Sequence, residues 1–520
     1  MTEQPETQLL VIGGGSTGAG VAWDAARRGL HVTLVDRGDL ATGTTGRFHG
    51  LLHSGGRYVV KDPASAKECA AENRILRRIA ADCIEDTGGL FVTTPIDDPD
   101  YADRFLAGCA AADVPVEEVS VAEALRREPL LNPKITRAFV VEDAAIDAWK
   151  MVWACVRGAR AYGARILPYH EVLSIWVEHD AVVGATLRDN ISGAAVEVRA
   201  QCIVNAAGAW AGQIARMAGC AVGVIPGKGV MVAMNHRLVN TVVNRCTMPG
   251  DGDIIVPIRT VCVIGTTDVP VEDPDQIAPS AEEVARMMEA GDALVPGFSQ
   301  ARALRAWAGV RPLFPKGEAS GKVQDTRDVT RSHSVVNHAQ VDGVEHLITI
   351  AGGKFTTFRL MAQDAVDAVC ADLKVAAACS TAEVPLPDSE DHRFYWLGAR
   401  EKDMEEHVRD DSVLCECELV TEGDLRAAAS RRPQQQLDDL RRGLRLGMGP
   451  CQGGFCAFRA AGLLHHDAYY DRSQTNAALV AFAQERWKGQ QVVLWGQQLR
   501  QSRLDSWIFQ GVLDLEHLPA

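Results

Sequence analysis

The sequence predicts an α/β fold that begins with a doubly wound, Rossmann-like domain. A short apolar run at residues 8–13 is followed by a helical stretch at 16–28 and a second apolar run at 31–35. The glycines between the first run and the helix have the spacing G-x-G-x-x-G, which is the spacing of a dinucleotide-binding turn. A β-α-β unit with this turn is how a doubly wound sheet begins.

Length and composition limit the remaining possibilities. The chain has 520 residues, which is too many for one compact core, so we expect two or three domains. Its content of 47% hydrophobic and 23% charged residues is that of an ordinary globular protein. The formal net charge of -15 at pH 7 argues against a general nucleic-acid binder and against a polybasic membrane anchor.

The sequence also bears on location. The first residues are polar and acidic, so we expect no secretory signal and a cytoplasmic protein. No run of about 18 apolar residues occurs, so we expect no transmembrane segment. Any membrane association must then come through a partner or a surface patch.

Periodicity divides the chain further. Residues 60–85 and 116–128 have helical patterns, and residues 253–268 have the pattern of a β-hairpin. Two prolines and an acidic run interrupt all periodicity at 381–395, where we place a linker before a cysteine-containing domain and a tail. The parts so defined are residues 1–380, 381–395, 396–470 and 471–520.

The glycine fingerprint has a distinct role for each glycine. Gly13 makes the tight turn, Gly15 lets the backbone approach a pyrophosphate, and Gly18 lets helix and strand pack closely. Asp36 ends the second strand, 23 residues after Gly13, where an acid accepts hydrogen bonds from ribose hydroxyls. The fingerprint alone does not distinguish NAD from FAD.

A second glycine-rich stretch, residues 41–58, comes directly after the expected ribose acid. It is small, polar and basic, so it is suited to run along a flavin, although an irregular surface loop has the same composition. A later strand at 202–210 resembles the second dinucleotide-contacting strand of FAD oxidoreductases; the alternative is a core strand with a helix cap. The second stretch and the position of the fingerprint at the start of the chain favour FAD.

Five motifs in this order resemble those of one family. They are residues 13–36, 41–58, 204–210, 309–313 and 352–357. Together they are similar to FAD-dependent glycerol-3-phosphate dehydrogenase, most fully to the large catalytic A subunit of the anaerobic, quinone-linked enzymes, which also has a cysteine-bearing C-terminal domain. The resemblance covers nearly the whole chain. One departure is that Lys228-Gly229 is not followed by the histidine of the single-chain, membrane-bound relatives.

The resemblance implies a fold and a reaction. The fold is a FAD domain of the D-amino-acid-oxidase type, formed by about 1–60, 150–215 and 340–380, with a β-rich substrate domain inserted between these parts. In the reaction, the C2 hydrogen of sn-glycerol 3-phosphate passes as hydride to flavin N5, and the product is dihydroxyacetone phosphate. Electrons would continue through an iron–sulfur centre and partner subunits to a quinone, with the chain held at the inner face of the cell membrane through a partner.

The motifs also imply which residues bind FAD. Most lie in the fingerprint and in the stretch that follows it, and the others lie beside the later strand and near residue 354. They are Gly13, Gly15, Ser16, Thr17, Gly18, Asp36, Arg37, Thr42, Thr44, Thr45, Gly208, Gly352, Gly353 and Thr356.

Arginines are the candidates for the substrate phosphate. A phosphomonoester near pH 7 carries close to two negative charges and needs charge-assisted donors, and guanidinium offers a planar fork that suits its oxygens. Arg57, Arg311 and Arg331 each lie in a stretch with family counterparts, and Tyr58 is expected to contact substrate beside Arg57. Arg311 lies in an apolar context, where a solvated charge is less expected, so we expect it to be catalytically essential.

Two further side chains are candidates for the chemistry itself. Lys354 follows two glycines at a predicted helix start, where a cation could stabilise the reduced flavin or a substrate alkoxide. His53 is a candidate general base because imidazole titrates near pH 6.5. The alternative for His53 is a histidine that is hydrogen-bonded within a loop.

Four of the 14 cysteines form a cluster in the sequence. They follow the patterns C-x-C and C-x-x-x-x-C, with 33 residues between the two: Cys415, Cys417, Cys451 and Cys456. Reduced thiols in this arrangement indicate a metal site, either a [2Fe–2S] cluster or zinc. Structural zinc usually uses C-x-x-C pairs, and the pattern resembles the small [2Fe–2S] domain related to bacterioferritin-associated ferredoxin, so we favour the iron–sulfur cluster.

Two rival functions remain open at this point. A related flavoprotein could act on an amino acid or a 2-hydroxy acid, but a carboxylate needs one arginine whereas a phosphate is better served by several. A non-catalytic electron-transfer component is the other possibility, and the intact Gly353-Lys354 and Arg311 motifs argue against it.

Overall fold

The computed structural model describes residues 7–315, 326–407, 411–431 and 436–519, and the statements below concern these residues. The strands are β1 (Thr7–Ile12), β2 (Val32–Val35), β3 (Leu51–Leu52), β4 (Ile84–Glu85), β5 (Gly89–Thr93), β6 (Val116–Val119), β7 (Arg137–Val141), β8 (Ala144–Ile146), β9 (Arg165–Leu167), β10 (His170–Glu178), β11 (Ala181–Asp189), β12 (Ala195–Asn205), β13 (Ile225–Met234), β14 (Val242–Arg245), β15 (Ile254–Ile258), β16 (Val261–Gly265), β17 (Val269–Pro270), β18 (Ala303–Leu313), β19 (His333–Asn337), β20 (Leu347–Gly352), β21 (Val413–Cys415) and β22 (Val420–Thr421). The helices are α1 (Ser16–Arg27), α2 (Pro63–Ile79), α3 (Tyr101–Ala111), α4 (Val121–Arg127), α5 (Ala148–Ala161), α6 (Ala211–Arg216), α7 (Ala281–Leu294), α8 (His338–Val341), α9 (Phe358–Asp372), α10 (Leu397–His407), α11 (Glu422–Arg431), α12 (Leu437–Leu444), α13 (Cys456–His466), α14 (Arg472–Gln490) and α15 (Gly496–Ser506).

The first large sheet is built around β1. Its order is β10-β11-β12-β1-β2-β9, with β20 beside β12 and β19 beside β20. The pairs β1–β12, β1–β2, β2–β9 and β12–β20 are parallel. Helices α1, α5 and α9 pack on one face, and α6 with the strands β10–β12 encloses a second core on the other. The predicted doubly wound α/β fold is therefore confirmed.

The second large sheet is β-rich and comes from two insertions into the first. Its order is β17-β13-β16-β15-β14-β5-β7-β6, with β18 beside β13. Strands β5–β7 lie in the chain between β2 and β9, and β13–β18 lie between β12 and β19. The predicted hairpin at 253–268 is present as β15 and β16, which turn at Arg259 and Thr260.

The helix predicted at 116–128 is wrong in its first part. Residues Val116–Val119 form β6, which pairs with β7 at the edge of the second sheet. Helix α4 begins only after Ser120, whose side chain accepts a hydrogen bond from the Glu123 backbone N–H at 3.1 Å. Pairing with a neighbouring strand thus decides the conformation of residues whose local pattern is ambiguous.

The cysteine-containing region follows a segment that is packed rather than extended into solvent. Within 381–395 the side chain of Leu386 is buried and its N–H donates to the Ile79 carbonyl oxygen at 2.7 Å. Beyond it, helices α11–α14 and the hairpin β21–β22 enclose a small core of their own. No helix among the described residues is both long and apolar enough to cross a bilayer.

A buried ion pair joins α2 to α9 beneath the first sheet. Arg359 Nε and Nη2 donate to the two Glu72 carboxylate oxygens at 2.8 and 2.6 Å, and both side chains are at most 4% exposed. Arg359→Met leaves a buried carboxylate without this partner, so we expect the free energy of unfolding to fall by about 3–5 kcal/mol.

The matched control is Arg74→Met on the same helix α2. The Arg74–Asp113 pair is exposed, so its loss should cost less than about 1 kcal/mol. Urea unfolding followed by circular dichroism measures both changes; equal losses for the two variants would contradict the assigned role of the buried pair.

Candidate functional site

A cavity of about 860 Å³ lies between the two large sheets. One wall is formed at the carboxyl ends of β1, β2 and β12, and the other by β18, the residues after β16 and the residues after β20. Doubly wound folds bind ligands at the carboxyl ends of their strands. A volume in this range is typical of small-molecule and cofactor sites.

The glycine turn after β1 has room for no side chain at two positions. Gly13 has a φ of +110°, and a Cβ there would lie 2.6 Å from the Ala206 carbonyl oxygen. A Cβ at Gly18 would lie 1.8 Å from the Gly13 carbonyl oxygen. Ser16 N–H, at the first turn of α1, donates to Thr45 Oγ1 at 3.0 Å. The turn therefore presents bare backbone and a helix N-terminus to the cavity, which suits a pyrophosphate.

The carboxylate of Asp36 lies at the end of β2 against this turn. It accepts hydrogen bonds from the backbone N–H groups of Gly14 at 2.7 Å and Gly38 at 2.9 Å. Burial raises the pKa of Asp36 to about 6, and the two N–H donors oppose that rise. Next to it, Arg37 forms an ion pair with Asp275 at 2.7 Å across the mouth of the cavity.

The structure brings nearly all of the predicted FAD residues to this cavity. Gly18 packs beneath the turn instead, and Thr356 is buried, where its hydroxyl accepts the His53 backbone N–H at 3.1 Å. The predicted residues that line the cavity are Gly13, Gly15, Ser16, Thr17, Asp36, Arg37, Thr42, Thr44, Thr45, Gly208, Gly352 and Gly353.

Two of the predicted substrate arginines share one carboxylate. Arg311 Nη1 lies 3.1 Å from Asp268 Oδ1, and Arg331 Nη2 lies 3.4 Å from Asp268 Oδ2. Arg311 Nη2 also donates to the Thr267 carbonyl oxygen at 3.1 Å. Burial lowers the pKa of Arg311 to about 10, although Asp268 opposes that shift, so the guanidinium stays charged at neutral pH. The side chain of Asp268 is only 4% exposed, and it holds the guanidinium groups of Arg311 and Arg331 side by side. We call this pair of arginines on one carboxylate the Asp268 fork.

The other predicted cations complete this end of the cavity. Arg57 Nη2 lies 3.3 Å from Asp253 Oδ2. Lys354 Nζ donates to the Arg331 carbonyl oxygen at 3.1 Å and lies 5.2 Å from the centroid of the Tyr58 ring. Burial raises the pKa of Tyr58 to about 12, so this ring is a neutral phenol. Such a group of cations suits a ligand that carries more than one negative charge.

His53 lies among these charges as a neutral base. Its ring centroid is 5.3 Å from that of Tyr58. Burial lowers the pKa of His53 well below 6.5, and the neighbouring His49, Arg57 and Lys354 act in the same direction. At neutral pH the imidazole therefore has an unprotonated nitrogen that can accept a proton.

A second histidine in the same wall was not assigned a role by the sequence. His49 Nδ1 accepts the Leu51 backbone N–H at 3.2 Å, so its proton is on Nε2. Its ring centroid lies 6.1 Å from that of His53, and burial lowers its pKa to about 3. The only signal for it was its position inside the glycine-rich stretch at 41–58.

The carboxylates that hold the arginines were also missed. Asp253 comes directly before β15 and Asp268 comes shortly after β16, so both lie at the open end of one hairpin. In the sequence, one acid directly before the apolar hairpin and one shortly after it is the signal that could have indicated these two residues. Arg327, which also lines the cavity and forms an ion pair with Asp251, had no such signal.

The four clustered cysteines come together in the C-terminal region. Cys415 and Cys451 each contact both Cys417 and Cys456, so the close sulfur contacts form a ring of four. The thiols of Cys417 and Cys456 donate to the other two sulfurs, which lowers the pKa of Cys415 and of Cys451. Backbone N–H groups of Gly447 and Gly453 donate to the same two sulfurs.

The distances between the sulfurs of this ring can be compared with those around a single metal ion. Within the described part of the chain, no three of these sulfurs are all within 4.8 Å of one another. Around a tetrahedral zinc with Zn–S bonds of about 2.3 Å, every pair of sulfurs is only about 3.8 Å apart. The ring is therefore longer across its diagonals than a single ion requires.

A different trio, Cys220, His338 and Asp342, has its donor atoms within 4.8 Å of one another. His338 Nδ1 is 2.5 Å from Asp342 Oδ2, and its Nε2 is 2.8 Å from Thr349 Oγ1. Both ring nitrogens are thus used within the protein, which accounts for this trio without a metal.

Gly229 makes the position of Arg311 possible. Strands β13 and β18 are antiparallel, and a Cβ on Gly229 would lie 2.7 Å from Arg311 Nη2. Gly229→Ala should displace the guanidinium and weaken the binding of inorganic phosphate about ten-fold, the loss expected for one hydrogen bond to a charged group. Isothermal titration with phosphate measures this change.

The matched control is Gly223→Ala, shortly before the same strand. A Cβ there would meet nothing within 4 Å, so phosphate affinity should stay as in the parent protein. Unchanged phosphate binding in Gly229→Ala would contradict the placement of Arg311.

Known proteins share the sequence pattern and the fold of this chain. The family model described as FAD dependent oxidoreductase matches residues 8–368. Over 98% of its length, the chain is 44% identical to the A1 subunit of anaerobic glycerol-3-phosphate dehydrogenase from Haloferax volcanii, of which it covers 91%. It is 40% identical to the A subunit of anaerobic glycerol-3-phosphate dehydrogenase from Escherichia coli (strain K12), with 99% of this chain and 98% of that protein covered.

A solved structure supports the same fold. The glycerol-3-phosphate dehydrogenase from Bacillus halodurans, complexed with FAD, superimposes with a TM-score of 0.59 at 22% sequence identity. The alignment covers 97% of this chain and 94% of that one. At this identity the likeness establishes the architecture, including the regions on both sides of the cavity.

Proposed function

This chain belongs to the FAD dependent oxidoreductases, in the branch of the anaerobic glycerol-3-phosphate dehydrogenase A subunits, and we propose that it oxidises sn-glycerol 3-phosphate to dihydroxyacetone phosphate. Bound FAD supplies the hydride acceptor for this reaction. The observation that carries the substrate assignment is the fork of Arg311 and Arg331 on Asp268, beside Arg57 in one cavity.

The nucleotide end of the cavity fits FAD. The turn at Gly13 and the N-terminus of α1 would bind the pyrophosphate. The Asp36 carboxylate would accept hydrogen bonds from the ribose hydroxyls. Gly352, the last residue of β20, and Gly353 lie at the other end of the cavity, where they would approach the flavin ring. Gly353 has a φ of +77°, a backbone conformation that favours glycine, so a side chain at this turn would be strained.

The cationic end fits a phosphate better than a carboxylate. A carboxylate is satisfied by one bidentate arginine, whereas a phosphomonoester presents three oxygens and close to two charges. Arg311, Arg331 and Arg57 come from three different segments and line one cavity wall. In this proposal they bind the phosphate and leave the glycerol C2 hydroxyl near His53.

His53 then serves as the general base. It is neutral at pH 7 because of burial and the nearby cations, and its backbone N–H is held by Thr356. It takes the proton of the C2 hydroxyl while hydride leaves C2. The charge of Lys354 stabilises the developing alkoxide from a side chain that is only 5% exposed.

The first test is an anaerobic absorbance spectrum of the purified protein with sn-glycerol 3-phosphate. We expect the flavin band to bleach, and we expect Arg311→Met to lower kcat/KM at least ten-fold because a charged contact to phosphate is lost. Arg126→Met, a change to an exposed arginine, is the control and should behave like the parent protein.

The same spectrum, recorded with the rival substrates, can contradict the substrate assignment. If glycerol 3-phosphate leaves the flavin oxidised while a 2-hydroxy acid or an amino acid bleaches it, the substrate assignment is wrong. If none of these compounds reduces the flavin, a non-catalytic electron-transfer component becomes the better description.

We also propose that Cys415, Cys417, Cys451 and Cys456 hold a [2Fe–2S] cluster. Both diagonals of the sulfur ring are longer than a single tetrahedral ion requires, and two glycine N–H groups donate to its sulfurs, which supports this choice over zinc. The cluster would receive electrons after substrate oxidation and pass them to partner subunits and finally to a quinone, with the chain peripheral to the inner face of the membrane through such a partner. The relatives are themselves named as subunits, which supports the expectation of partners.

Metal analysis tests the cluster. Protein purified without oxygen should contain about two iron and two acid-labile sulfide atoms per chain. Cys417→Ser should lose both, whereas Cys379→Ser, which changes a partly exposed cysteine outside the ring, should keep both. One zinc per chain without sulfide would show that the site is a structural zinc site.

A further inference from the structure

Helix α12 of the C-terminal domain reaches the nucleotide-binding part of the chain. We define the ribose loop as residues 36–42, which follow β2 and include the acid expected to hold the FAD ribose. Arg442 of α12 directs Nε and Nη2 at Asp39 Oδ2, each at 3.4 Å, and also forms ion pairs with Asp438 and Asp439. The Arg442 side chain is 13% exposed and that of Asp39 is fully buried.

The ribose loop packs directly on the glycine turn. Leu40 is the side chain nearest to a Cβ built on Gly14, at 2.4 Å, and the Ala41 N–H donates to the Gly14 carbonyl oxygen at 2.9 Å. Thr42, which lines the cavity, donates to the Asp39 carbonyl oxygen at 2.9 Å. Movement of Asp39 would therefore move both the loop and the turn that borders it.

A second contact joins α12 to the same loop from its other side. The Tyr169 hydroxyl donates to Asp439 Oδ2 at 2.5 Å. The backbone N–H of Tyr169 donates to the Gly38 carbonyl oxygen at 2.8 Å, and that of His170 donates to the Asp36 carbonyl oxygen at 2.7 Å. Helix α12 thus contacts the loop directly through Arg442 and indirectly through Tyr169.

The position of α12 depends on the cysteine region. Leu437 and Leu440 of this helix are buried in the same small core as Cys415 and Cys456. Directly after the helix, Arg445 Nε donates to Glu418 Oε2 at 2.9 Å, and Glu418 is the neighbour of Cys417 in the chain. The helix is therefore fixed on one side by the four-cysteine core while its other side faces the ribose loop.

We propose that the C-terminal domain holds the ribose loop over FAD through α12, with Arg442 as the positioning residue. This inference rests on the proposed binding of FAD. Without the guanidinium, the buried carboxylates of Asp39 and Asp439 would face each other, and their repulsion would separate the helix from the loop. Retention of FAD then depends on a domain that contributes no residue to the cavity wall described above.

The test is the dissociation constant for FAD, measured by titrating the full-length apoprotein with FAD and following flavin fluorescence. Arg442→Met should raise this constant at least ten-fold. Tyr169→Phe removes a single hydroxyl and should raise it about three-fold. Addition of Asp39→Asn to Arg442→Met removes one of the opposed charges and should recover part of the lost affinity.

The control is Arg426→Met on α11 of the same domain, where the arginine pairs with Asp467 and Glu422 at the surface. It should bind FAD as the parent protein does. At saturating FAD, the Michaelis constant for glycerol 3-phosphate should be unchanged in Arg442→Met, which a general loss of folding would not allow.

The outcomes separate this inference from the proposed function. If the parent protein does not bind FAD, the proposed function itself is wrong. If the parent binds FAD and Arg442→Met, with its metal content intact, binds it equally well, the inference is overturned. If Arg442→Met does not fold, Tyr169→Phe decides, and an unchanged FAD constant in that variant overturns the inference.

Discussion

The contact between β18 and the turn after β2 determines how the two sheets share one cavity. Gly309 lies against the Arg47 backbone so closely that a Cβ would come within 2.4 Å of the Arg47 carbonyl oxygen. Thr44 Oγ1 donates to the Val310 carbonyl oxygen at 2.5 Å. The next residue of the strand is Arg311. Because the backbones meet here, a nucleotide on one sheet and an anion held by the other are brought side by side.

The cavity is lined by positive side chains although the chain as a whole is acidic. The chain has a formal net charge of -15, yet arginines and a lysine converge on the cavity, each held by a buried or partly buried oxygen. This arrangement has two effects. The fork on Asp268 is rigid before a ligand arrives, which reduces the entropy lost on binding. Burial, reinforced by the charges of Arg57 and Lys354, keeps His53 neutral, so two of these cations both attract an anion and keep the base unprotonated.

The sequence predicted the features that depend on neighbours along the chain and missed those that depend on folding. The glycine turn, Asp36 and the cysteine pairs are local patterns with few alternatives, and each lies where its pattern indicated. The helix at 116–128 was wrong because pairing of β6 with β7 is not visible in a short window. Asp268 was missed because its role depends on Arg311, which lies 43 residues further along the chain. His49 was missed although it is close to His53 in the sequence, because the composition of the stretch 41–58 does not show which of its side chains become buried together.

The predicted linker before the cysteine-containing region illustrates the same limit. Loss of periodicity at 381–395 predicted a linker, but Arg259, Arg445 and Glu418 join the two sides of it in a buried network. Buried ion pairs add little net stability, but they can specify one arrangement. Thr260, at the tip of the β15–β16 hairpin, lies 3.5 Å from a Cβ built on Gly449, and Gly265, at the other end of β16, faces His49. The network therefore holds the cysteine-containing region against the tip of a hairpin whose other end borders the cavity.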